Sequence, residues 1–132
     1  MLNIFPIQYL ALFAYFILRV AVSLVLIMLG LRHWHYRHEL KKVFTCTWFP
    51  MSGYAAYLWP VAELAVAGFL LVGAYTQIAA LLLMLMSLKL MLIRPWFPHP
   101  TIPSRLFYLL LFAIAISLFI TGAGAFAFDL PL

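Results

Sequence analysis

From Gln8 to Leu31 every residue is apolar or a small or uncharged polar group except Arg19. A run of ~24 such residues crosses a ~30 Å hydrocarbon core at 1.5 Å per residue with some tilt. Three more apolar stretches follow, at about 54–74, 78–93 and 105–123. A soluble chain needs a polar surface, and this one cannot supply it. It is 68% hydrophobic and 8% charged, where soluble domains average about 45–50% and about 25%. In lipid a backbone that satisfies its own hydrogen bonds is helical or a closed barrel. The expected fold is all-α: an integral membrane four-helix bundle, with residues 1–132 forming a single four-span domain.

The connections between the spans carry the topology. Residues 1–7 hold no Lys or Arg, and Pro6 suits the first turn of a helix. Loop one, residues 32–53, holds Arg32, Arg37, Lys41 and Lys42. Within it Tyr36, Leu40, Val43 and Phe44 recur at helical spacing, which predicts a short amphipathic helix in the membrane interface. Tyr54, Tyr57 and Trp59 are placed to anchor the start of the second span, Pro60 to kink it, and Lys89 to snorkel outward from the third. Residues 73–77 allow only a tight antiparallel turn. Four prolines between 94 and 104 exclude a helix there. Basic residues therefore gather in loops 32–53 and 94–104, with Arg105 at the margin. The positive-inside rule puts those loops in the cytoplasm and both termini outside a bacterial-type inner membrane. No cleavable signal peptide is expected, because the first segment lacks a basic lead and is too long.

Two ionisable residues fall inside spans, Arg19 in the first and Glu63 in the second. Each is costly alone in hydrocarbon, so an Arg19–Glu63 pair is expected. Counting from the cytoplasmic ends places the two at similar depth. Such a pair serves either as a structural clasp or as the polar floor of a ligand cavity, and both readings stay open here. His33, His35 and His38 stand close together, but the spacing i, i+2, i+5 does not share a helical face. No metal site is expected of them, and they are at most weak ligand candidates. Haem ligation in a bundle needs paired histidines on facing spans, and every His is read as lying in a connection. Cys46, the single cysteine, cannot close an intrachain disulfide.

Nucleic acid is excluded as a partner despite the net charge of +5, since the basic residues form no continuous face. There is no glycine-rich phosphate loop and no His-Glu-x-x-His. The chain is not expected to be catalytic alone. On the fourth span Ala113, Ser117 and Thr121 form a small-residue stripe that admits a close helical neighbour, from this bundle or from a second copy.

Three stretches together carry a family resemblance. The run Leu-Arg-Val-Ala-Val-Ser-Leu-Val-Leu-Ile-Met-Leu-Gly-Leu at 18–31 resembles the first helix of the DoxX family of small four-helix membrane proteins. Ala-Glu-Leu-Ala-Val-Ala-Gly-Phe-Leu-Leu-Val-Gly-Ala-Tyr-Thr-Gln at 62–77 resembles its second helix, and Gly-Ala-Gly-Ala-Phe-Ala-Phe-Asp at 122–129 its closing segment. By that resemblance Arg19, Glu63, Gly122, Gly124 and Asp129 match family positions. The chain departs from the family at Arg32–His33, where many members carry Lys, and at Ala123, where a proline is common. The resemblance implies an accessory or anchor subunit of a quinone-linked membrane oxidoreductase. Such a subunit has no cofactor of its own; its candidate ligand is a quinone or lipid, and its partners are the bilayer and membrane or peripheral oxidoreductase subunits. The alternatives are a small oligomeric transporter or carrier, and a structural scaffold docking a partner protein through loop one.

Overall fold

The structure of the chain, a computed structural model, describes residues 7–40, 55–95, 100–122 and 124. Among them are four helices and no strand: α1 Ile7–His35, α2 Ala55–Val72, α3 Thr76–Ile93 and α4 Arg105–Thr121. The expected all-α bundle is present. α1 packs closely against α2 and α3 against α4, while α2–α3 contact is thinner and α1–α4 contact thinner again. The bundle is thus a pair of antiparallel hairpins joined through α2 and α3.

Helical spacing explains which residues turn inward. On α1 the buried positions are Arg19, Val22, Ser23, Leu26, Leu29, Gly30 and His33, and on α2 Pro60, Glu63, Val66, Ala67 and Leu70. Both sets recur every three or four residues, one stripe of a 3.6-residue helix. The opposite face of α1 exposes Leu10, Phe13, Ile17, Leu24, Met28 and Leu31. An apolar outer face of that extent belongs against lipid. Leu10–His35 and Thr76–Ile93 are long and apolar enough to cross a membrane, and the apolar helices Tyr57–Val72 and Arg105–Thr121 are somewhat shorter.

Close approach is written into the α1–α2 seam. A Cβ added at Gly30 would lie 2.9 Å from Cγ of Leu64, and Ser23 Oγ donates to the Ala67 carbonyl at 2.6 Å. The turn from α2 to α3 needs Gly73 at φ 73°, and the amides of Gly73 and Ala74 both bond the Phe69 carbonyl. The opposite end of the bundle carries Arg32, Arg37, Arg94 and Arg105 and is called here the basic end.

Several boundaries differ from expectation. α1 runs past Leu31 to His35, so His33 and His35 belong to a helix and not to a connection. Tyr36–Leu40 then form hydrogen-bonded turns and Leu40 folds into the core; the rest of the expected interfacial helix lies outside the described residues. α2 continues through Pro60 near its start. On α4 the inner face is Tyr108, Leu111, Ala115 and Leu118, so the Ala113, Ser117, Thr121 stripe is not the packed one. Ala113 is exposed, and the Thr121 hydroxyl bonds back to the Ser117 carbonyl at 2.7 Å.

Candidate functional site

Glu63 sits in the ninth position of α2, buried at 3% exposure, and both its oxygens are engaged. His33, fully buried on α1, places Nδ1 2.6 Å from Oε2 of Glu63. Trp59, one turn earlier on α2, donates its indole N–H to Oε1 at 3.0 Å. A carboxylate removed from water needs such partners, since an isolated buried charge is very costly. Whichever atom carries it, one proton lies between His33 and Glu63, and moving it from ring to carboxyl needs almost no displacement of heavy atoms.

The other two helices close the site. Lys89 on α3 sets its ammonium 4.0 Å from the centre of the Trp59 ring, a cation–π contact on the same indole that bonds Glu63. Tyr108 on α4 is 1% exposed, and the charges of Glu63 and Arg94 both act on its hydroxyl. That hydroxyl has no hydrogen-bond partner among the described residues. Arg94, the C-cap of α3, is steadied by a bond from Nε to the Pro103 carbonyl at 3.3 Å. All four helices thus contribute to one polar cluster near the basic end.

The expected Arg19–Glu63 pair does not form. Arg19 lies on the same stripe of α1 as His33 but fourteen residues earlier, roughly 21 Å along the axis. The register, with Gly30 against Glu63 and Leu64 and Ser23 against Ala67, leaves Arg19 toward the other end of the bundle. There it is fully buried with its guanidinium 5.5 Å from the Phe16 ring centre. The count from helix ends took α1 to stop at Leu31, whereas it runs to His35, and the register of the seam brings His33 rather than Arg19 to Glu63.

The remaining predicted residues separate. His35 stacks edge-on with Tyr36 at 4.9 Å, and His38 with Tyr57 at 6.2 Å, so only His33 of the three turns inward. Among the described residues no group of three His, Cys, Asp or Glu side chains is placed to hold a metal ion. Gly122 caps α4 at φ 76°. Gly124, at φ 72°, packs so tightly on α1 that a Cβ would lie 2.9 Å from Cβ of Tyr15 and 3.0 Å from the Leu12 carbonyl oxygen. Asp129 lies outside the described residues. Sequence reasoning passed over Trp59 and Tyr108 and named His33 only as a weak metal-ligand candidate; the signal for its burial was the unbroken spacing 19, 22, 26, 29, 33.

The DoxX family model matches residues 14–96, which take in most of α1, all of α2 and α3, and the side chains of His33, Trp59, Glu63, Lys89 and Arg94. No curated protein and no solved structure matches the chain.

Proposed function

The chain belongs to the DoxX family of membrane proteins, and we propose that it is an integral membrane subunit of a quinone-linked oxidoreductase system. The observation that carries this reading is the buried His33–Glu63 pair at 2.6 Å, held by Trp59 at the end of an apolar bundle. Reduction of a quinone to a quinol consumes two electrons and two protons. The chain's own residues offer a proton route, with His33 and Glu63 as donor and acceptor, while the electrons come from a partner redox subunit. An apolar setting with a few convergent polar groups is the usual chemistry of a site for such a ligand.

A proton-coupled carrier is less well supported. A relay serving transport has to communicate with both faces, whereas the cluster gathers at the basic end. Arg19, a further buried ionisable residue, stands about four turns of α1 away from His33. By the positive-inside rule the basic end faces the cytoplasm, where protons for quinone reduction would be drawn from that side.

The test is Glu63→Gln, which keeps shape and removes the titrating group. Quinone reduction by membranes carrying the variant should fall on the order of a hundredfold, the usual worth of a positioned acid or base. Full turnover with a properly inserted variant overturns the reading.

A further inference from the structure

The contact between Lys89 and Trp59 has no place in the proton route, yet it adjoins that route. The Lys89 ammonium stands over the Trp59 ring, 4.0 Å from its centre. The indole N–H leaves in the plane of the same ring and meets Glu63 Oε1 at 3.0 Å. One contact uses the face and the other the edge, so the two do not compete. His33 holds the second carboxylate oxygen, Oε2, at 2.6 Å. Three contacts therefore link four groups in sequence, from ammonium on α3 through indole and carboxylate on α2 to imidazole on α1.

A cation on the face of an indole draws on its π electrons and makes the N–H a stronger donor, as linked polar contacts at low dielectric polarise one another. The stronger donor stabilises negative charge on Glu63. The ammonium also acts on that charge directly, because coupling between unit charges falls only as the inverse of their distance. Glu63 is the only acidic residue in the four helices, so no charge of its own sign on them opposes it. Arg94 at the α3 cap adds a second cation at this end, and α4 contributes the Tyr108 hydroxyl. Lys89 reaches the carboxylate on the Oε1 side and His33 on the Oε2 side. A proton resting on the imidazole then leaves the negative end of the pair toward the ammonium and the positive end away from it. We propose that Lys89 is a positioning residue for the pair, acting through Trp59 to hold Glu63 as the carboxylate and the shared proton on His33. This deepens the proton-route reading, making His33 the resting donor and Glu63 the resting acceptor, and rests on that reading for its part in turnover. The place of the proton itself is measured without a redox partner.

The experiment is infrared spectroscopy of the full chain in lipid nanodiscs at neutral pH, with glutamate isotopically labelled at its side-chain carboxyl. Glu39, exposed beyond α1, is replaced by Gln so that Glu63 is the only glutamate and carries the only label. With Lys89 in place the labelled carboxyl should show carboxylate stretches and no carboxylic-acid stretch. Lys89→Met, close in length and uncharged, should shift the ratio of carboxylate to acid toward the acid by on the order of tenfold. Lys89→Gln carries the same test if the methionine variant fails to insert. Lys89→Arg keeps a cation that stacks on an indole and should restore the carboxylate. Trp59→Phe keeps a ring under the ammonium but removes the N–H, and should shift the ratio the same way by less. A purely structural Lys89 would alter stability in these variants and leave the labelled bands in place. Bands unchanged by loss of the Lys89 charge overturn the proposal, and so do an acid band with Lys89 present or one that persists in Lys89→Arg. A shift in Lys89→Met with none in Trp59→Phe overturns the route through the indole. Full quinone turnover by Glu63→Gln overturns the redox reading alone, and the bands still decide whether Lys89 sets the proton.

Discussion

His33 and Glu63 meet across the α1–α2 seam at 2.6 Å, with both side chains buried. The seam itself makes the contact possible. Gly30 brings α1 so near α2 that Leu64 and Glu63 lie against its backbone, and His33, one turn further, then projects directly at the carboxylate. The pair's energetics follow from its burial. Deleting one partner leaves the other uncompensated, which costs about 3–5 kcal/mol in a protein interior, more than the pair itself contributes over an apolar substitute.

Glu63→Ala and His33→Ala should each lower unfolding free energy by about 3 kcal/mol, while the double variant should lose clearly less than the two losses combined. Reversible unfolding in mixed micelles, followed by circular dichroism, measures all three. A coupling within error of zero would mean the two side chains stabilise the bundle independently.

Arg19 supplies the opposite expectation. With roughly 21 Å of helix between it and His33, Arg19→Gln and Glu63→Gln should be additive within about 0.5 kcal/mol. The same unfolding assay decides it, and a strong coupling would restore a direct Arg19–Glu63 interaction. Arg19→Gln alone should be clearly destabilising, because the side chain is fully buried beside Phe16.

The four helices were legible because lipid demands uninterrupted apolar length, and that demand shows in composition before any side chain is placed. Glu63 was legible as a buried, partnered carboxylate for the same reason: a carboxylate in such a run needs a partner. Its partner was not, because the apolar run and the helix are different lengths. Hydropathy stops at Leu31, where Arg32 begins the polar stretch, yet backbone hydrogen bonding carries α1 to His35. Spacing was the better guide than polarity, since 19, 22, 26, 29 and 33 lie on one stripe. Trp59 was hidden by a sound generalisation about interfacial tryptophans, overridden here because the carboxylate four residues on offers its N–H an acceptor. Tyr108 carried no signal at all, as the charges that act on it, Glu63 and Arg94, stand on α2 and at the α3 cap.

Gly30→Ala should cost about 1–3 kcal/mol, the range for forcing an extra methyl into a packed interface. The new Cβ would stand 2.9 Å from Cγ of Leu64, so Leu64→Ala in the same chain should restore much of the loss. Thermal denaturation of the single and double variants checks this. If Gly30→Ala is neutral, α1 and α2 tolerate a wider spacing than the structure has.

Orientation can be read directly. In a Cys46→Ser background the chain has no thiol, so single cysteines report their own side of the membrane. His38→Cys lies at the basic end and Tyr75→Cys at the α2–α3 turn, and both positions are exposed. Positive-inside topology predicts that a membrane-impermeant maleimide labels the second in intact cells and the first only in inverted vesicles. The reverse pattern would move the His33–Glu63 cluster to the outer face. Any proton exchanged there would then be released to, or taken from, the outside, turning the route from one suited to quinone reduction at the cytoplasm into one suited to quinol oxidation.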